Sequence, residues 1–137
     1  MKIATWSIIN NEIDFLPSII PFHLQFVDLM YFLDTGSTDG GLQFLENYAK
    51  NDSRVIVEKY HELYIPDYSV EWREMSDPFP EVEVRNYALN QVEKLNPNAW
   101  LVQLDGDEIF LPKVREVIEK SHKSIISHST INPVEEL

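Results

Sequence analysis

The chain has 137 residues, with 23 acidic side chains against 11 basic ones, a formal charge of -12 and no cysteine. That length suits one domain with its own core, the charge excludes a nucleic-acid binder, which needs a basic face, and the missing cysteine excludes disulfides and thiol chemistry. Apolar and charged fractions are ordinary for a soluble protein, and no leader or transmembrane span is read, so a cytoplasmic location is expected.

Ile3 to Ile9 reads as a buried strand. Asn11 is placed to cap a helix carrying Phe15, Leu16, Ile19 and Phe22 on one side, with Pro17 and Pro21 limiting its regularity. Val27 to Leu33 is a second buried strand ending at Asp34, and Ser37 is placed to cap a helix with Leu42, Leu45 and Tyr48 or Ala49 inward. Arg54 to Tyr60 holds a third strand, followed by an irregular stretch over about residues 61–80, rich in acids, aromatics and proline. A third helix starts near Glu81, where Val84, Ala88, Val92 and Leu95 mark one buried face. Asn96-Pro97-Asn98 stops it, Ala99 to Leu104 is the fourth strand, and a last helix over Pro112 to Ser121 carries Val114, Val117 and Ile118. The tail from Ser124 is weakly patterned.

Alternating strands and helices predict an α/β fold, a mostly parallel sheet flanked by helices in a Rossmann-like arrangement. In such a sheet every strand end and every following helix start lie on one edge, where ligands bind. Asn10, Asn11 and Glu12, the run Asp34 to Asp39, His61, Arg85 and Asn86, and Asp105, Asp107 and Glu108 all fall on that edge. The segment Trp100 to Glu108 runs an apolar strand into three closely spaced carboxylates, whose mutual repulsion a divalent cation would relieve. The plainer alternative is an acidic turn closing a buried strand. Arg85 suits a phosphate clamp, against a surface ion pair with Glu81 or Glu83. Asp34 at a strand end is placed to accept a hydrogen bond from a base, or simply to shape a turn. His23 and His61 lack the spaced partners of a metal motif, Trp6 and Trp100 read as core, and Tyr64, Tyr68, Trp72 and Phe79 form either an aromatic sugar-binding wall or the loop's own small core.

Taken in order, a strand followed by Asn11-Glu12, then Leu16-Pro17, His23, Asp34-Thr-Gly-Ser-Thr-Asp39-Gly, Arg85-Asn86-Tyr87-Ala88-Leu89 and Trp100-Leu-Val-Gln-Leu-Asp105-Gly-Asp107-Glu108 resembles the nucleotide-sugar-binding half of a family 2-like glycosyltransferase with the A-type fold, over roughly residues 2–112. The resemblance implies a Rossmann-like nucleotide-diphosphosugar transferase fold over residues 1–137, a nucleotide-diphosphate-sugar donor, an unknown acceptor, and Mn²⁺ or Mg²⁺. It implies that Asn11 and Glu12 join the nucleotide site, that Asp34 contacts the base, and that Arg85 lies near the pyrophosphate. Asp105 and Asp107 would be the Asp-x-Asp pair, with Asp107 on the metal and Asp105 on the ribose or the metal and its waters. Two features depart from the family. Thr35 stands where many relatives carry a second Asp, and the chain ends about 30 residues past Asp107, as if truncated before an acceptor-binding half, with no evident catalytic base. A truncated sheet would leave an edge free to pair with a second copy.

Other readings remain open. The same edge could hold a nucleotide sugar without chemistry, or serve as an interaction surface. Leu104-Asp105-Gly106-Asp107 also resembles the nucleophile motif of haloacid-dehalogenase-type phosphatases, but those place this strand early and carry Thr or Val where Ile109 stands. A nucleotidyltransferase would want a Gly-rich basic loop after the first strand, and an EF-hand a Glu at loop position twelve.

Overall fold

The computed structural model describes residues 1–62 and 79–129, with side chains through Lys123 in the last helix. Tyr64, Tyr68, Trp72 and the last eight residues, 130–137, lie outside the described residues. Eight elements alternate along the chain: β1 (Lys2–Ile9), α1 (Leu16–His23), β2 (Leu29–Asp34), α2 (Gly41–Asn51), β3 (Val55–Lys59), α3 (Glu81–Leu95), β4 (Ala99–Gln103) and α4 (Pro112–Ser129). The four strands form one parallel sheet in the order β3-β2-β1-β4, with Ala4 opposite Leu29, Met30 opposite Val55 and Lys2 opposite Ala99. The protein is thus an α/β domain with a Rossmann-like sheet flanked by helices.

Strand sequences explain why both faces are covered. Runs such as Leu29 to Leu33 are apolar at every position, so a one-sided sheet would leave half of them in water. On one face Ile3, Ile9, Met30, Phe32, Val55 and Leu104 pack with Leu16 and Ile20 of α1, Leu24 just after it and Leu45 of α2. On the other, Ala4, Trp6, Tyr31 and Leu33 pack against Val84, Ala88 and Val92 of α3. The period-two alternation of strand side chains sorts neighbours into these two cores.

Several expectations are corrected. The first helix begins at Leu16 rather than near Asn11, because Asn11 sits at φ 59, a left-handed conformation that asparagine tolerates but a helix cap does not use. Phe15 is 47% exposed and contributes nothing to the buried face, while Leu16, Ile19 and Ile20 do. Ser37 caps no helix: α2 starts four residues later, after Gly40 at φ 90, and the carboxylate that meets its first turn belongs to Asp39, which accepts the Gly41 N–H at 2.8 Å. Leu95 is the last residue of α3 and is 49% exposed. The last helix runs on to Ser129, and only Ile118 of its three expected apolar contacts packs on the core; Val114 and Val117 face outward.

The chain turns back on itself between β1 and β4. From β1 the strands step outward through β2 to β3, and the next strand lands on the opposite side of β1. At such a switch point the loops after the two adjacent strands diverge to opposite faces and leave a crevice beyond their carboxyl ends.

Candidate functional site

A cleft of about 550 Å³ occupies that crevice. Ile8, Asn10 and Glu12 reach it from the end of β1, Thr35 from the end of β2, and Asp105, Gly106 and Asp107 from the end of β4. Phe79, Glu81 and Arg85 close it from the start of α3. Of the residues expected at the site, Glu12, Arg85, Asp105 and Asp107 therefore share one wall-to-wall space. Asn11 and Asp34 do not line it.

Those two residues instead build the loops that carry it. Asp34 is fully buried, and its carboxylate accepts N–H groups of Gly36 at 3.1 Å and Ser37 at 3.2 Å. A buried carboxylate is tolerable only when backbone donors surround it in this way. Asn11 donates its backbone N–H to Ser37 Oγ at 3.0 Å and accepts the Thr38 N–H on Oδ1 at 2.7 Å. Asn10 Nδ2 donates to Thr35 Oγ1, the Thr35 hydroxyl donates to the Ile9 carbonyl, and Ile13 N–H donates to Asp39. The loops after β1 and β2 are thereby stitched into one rigid ledge, with Asn10 and Thr35 at its cleft side.

The opposite wall is built differently. β4 keeps its register to the end, where Leu104 N–H reaches the Trp6 carbonyl at 3.0 Å. The chain then turns, with Glu108 N–H on the Asp105 carbonyl and the Glu108 carboxylate accepting the Asp105 N–H at 2.9 Å. Glu108 is therefore a brace of the turn, and Asp105 and Asp107 are left exposed with no hydrogen bond to their carboxylates among the described residues. Gly106 is buried between them. A Cβ there would stand 2.7 Å from Glu12 Cγ and 2.9 Å from Ile9 Cδ1, so the glycine is required for close approach of the two walls.

That approach has an electrostatic consequence. Burial first, then repulsion from Asp107, Asp105 and Asp39, raises the pKa of Glu12 above the usual glutamate value. Four carboxylates and one guanidinium line the cleft, and the guanidinium is already engaged: Arg85 Nε donates to Glu81 Oε1 at 2.8 Å, one helical turn away. Such a cleft favours a cation, or an anion that arrives with one. Among the described residues, no three histidine, aspartate or glutamate side chains converge into a metal cage. The donor set fits a hard divalent ion of the Mg²⁺ type, which takes one or two carboxylates and completes its shell with phosphate oxygens and water.

Asn10 and Thr35, which the sequence placed on the ligand edge without a role, line the cleft, as do Phe79, expected in either an aromatic wall or a loop core, and Glu81, expected only as an ion-pair partner of Arg85. Glu81 had a signal in its spacing of four from Arg85. Phe79 packs beside the α3 core and offers the cleft an apolar floor. His23 is buried against Phe110, in the segment after β4, and His61 is exposed beside the rings of Tyr60 and Tyr87; neither lines the cleft.

The chain matches no protein-family model and no curated protein sequence. Among the described residues, no helix is long and apolar enough to cross a membrane.

Proposed function

We propose that this domain binds a nucleotide-diphosphate sugar together with Mn²⁺ or Mg²⁺ and serves glycosyl transfer, as a nucleotide-diphosphosugar transferase fold. The observation that carries the reading is the meeting of Glu12, Asp105 and Asp107 with Arg85 in one cleft at the β1–β4 switch point. The sequence resemblance to family 2-like glycosyltransferases, which reads Asp105 and Asp107 as an Asp-x-Asp pair, supports it, since both line that cleft.

Each residue has a physical task in this reading. Asp107 and Asp105 would hold the cation, with Glu12 adding negative potential from the facing wall. When bound, the cation supplies charge neutralisation at the diphosphate leaving group. Arg85 turns from Glu81 toward phosphate, an exchange of one exposed ion pair for another that costs little. Thr35 and Asn10 on the ledge face the nucleoside, and Phe79 gives its base an apolar surface. Asp34 contributes from below by holding the ledge in shape.

Calorimetric titration of UDP, GDP and CDP, each with Mn²⁺ and with chelator, tests the reading. One nucleotide should bind only with the cation, and Asp107→Ala should abolish that binding while the protein stays folded. Failure of all three to bind the folded wild-type chain with Mn²⁺ would overturn it.

A further inference from the structure

The acidic turn sits outside the sheet, yet the proposed site needs its carboxylates held in place. One anchor is the end of β4, where Leu104 N–H bonds to β1. The other comes from a residue far away in sequence. His23, the last residue of α1, is completely buried, and its Nε2 accepts the backbone N–H of Phe110 at 2.7 Å. Phe110 lies three positions beyond Asp107, and its ring stacks on Phe26 at 5.6 Å while Phe22 and Phe26 meet the imidazole edge-on. Leu104 and Phe110 both belong to the core on the α1 side, so the segment between them is a short arch pinned at both feet.

We propose that His23 is the positioning residue of this arch, and so of the carboxylates at the cleft. Its role as a hydrogen-bond acceptor specifies its chemistry. Nε2 must be bare to receive the Phe110 N–H, so the ring proton resides on Nδ1 and the imidazole is neutral. Burial favours that neutral form, lowering the His23 pKa. The hydrogen bond is buried, so without the imidazole the Phe110 N–H would lose its partner away from solvent. A leucine at position 23 would fill similar space and leave the donor orphaned; a glutamine would return an acceptor near the Nε2 position.

The effect on binding rests on the donor-site reading, whereas the anchoring of the arch does not, and the experiment separates the two. In the full chain, amide hydrogen exchange is followed through residues 104–110 and Mn²⁺ affinity is measured with GDP, UDP or CDP, whichever binds. His23→Leu should speed exchange at Phe110 and across Asp105 to Glu108, and weaken Mn²⁺-dependent binding by roughly 10- to 100-fold, the range for supports behind a metal ligand. His23→Gln should restore both. Val92→Ala, in the other core, should lower Tm while leaving both as in wild type. Equal exchange through the arch in His23→Leu and Val92→Ala would overturn the proposal. Should no cation or nucleotide bind the wild-type chain, the donor reading fails, and the exchange pattern alone decides the anchor. If His23→Leu does not fold, wild type still answers: a through-hydrogen-bond coupling between Phe110 N and His23 Nε2 is expected, and its absence rejects the bond.

Discussion

The ledge after β2 and the turn after β4 are both acidic, glycine-bearing loops at strand ends, and they use their acids in opposite ways. On the ledge the Asp34 and Asp39 carboxylates accept four different backbone N–H groups, from Gly36, Ser37, Gly41 and Ile13. In the turn only Glu108 does so, bracing Asp105 N–H, while Asp105 and Asp107 point away from the backbone into the cleft. Acid density in a sequence thus says little by itself. Whether an acid builds structure or offers a site depends on whether nearby amides have already claimed its oxygens.

Paired substitutions break or sharpen that contrast. Asp34→Ala orphans the buried Gly36 N–H and the half-buried Ser37 N–H and should cost about 2–3 kcal/mol in urea unfolding, whereas Asp107→Ala should change stability by less than about 0.5 kcal/mol. Similar losses from both would erase the distinction between the loops. Asn11→Ala removes the acceptor for Thr38 N–H and forces alanine into φ 59, so a loss of about 1–2 kcal/mol is expected, with Asn11→Gly losing less because the backbone strain disappears.

The smallest effect belongs to Glu12. Its folded-state pKa is raised, so above 4.5 the native state holds this proton more tightly than the unfolded chain. Stability from this group therefore falls as pH rises from 4.5 through the folded value, and at neutral pH the ionised Glu12 opposes folding. Glu12→Gln should remove that slope and raise Tm at pH 7 by on the order of a degree or two without cation. With Mn²⁺ and nucleotide present the wild type should gain more in Tm than the variant. A Tm that falls in Glu12→Gln at pH 7 without cation would show that repulsion in the cleft is not felt by the fold.

The sheet and its edge were legible because parallel strands buried on both faces must be largely apolar; Leu29 to Leu33 is apolar at every position, and Ile3 to Ile9 at all but Thr5 and Ser7. Helix α3 was legible from Val84, Ala88 and Val92. The convergence of Glu12, Arg85, Asp105 and Asp107 followed from topology alone, since each stands just past a strand end or at a helix start. Loop chemistry was not legible. Asn11 and Ser37 have the composition of helix caps, and only the three-dimensional pairing of two loops decides that they bond to each other instead. His23 was equally silent, because its partner is a backbone amide, and any residue but proline could have supplied that donor.

The strand order carries a consequence for the route by which the domain assembles. Neighbours β1, β2 and β3 follow one another in sequence, so their pairing needs only local crossovers. β4 must return to β1 across nearly the whole intervening chain, with Lys2 meeting Ala99, and contacts of such long range form late because loop closure is entropically costly. The ledge draws only on the loops after β1 and β2, whereas the acidic wall is in place only once β4 has docked. The cleft therefore exists only in the finished sheet, and a ligand that needs both walls recognises that state alone.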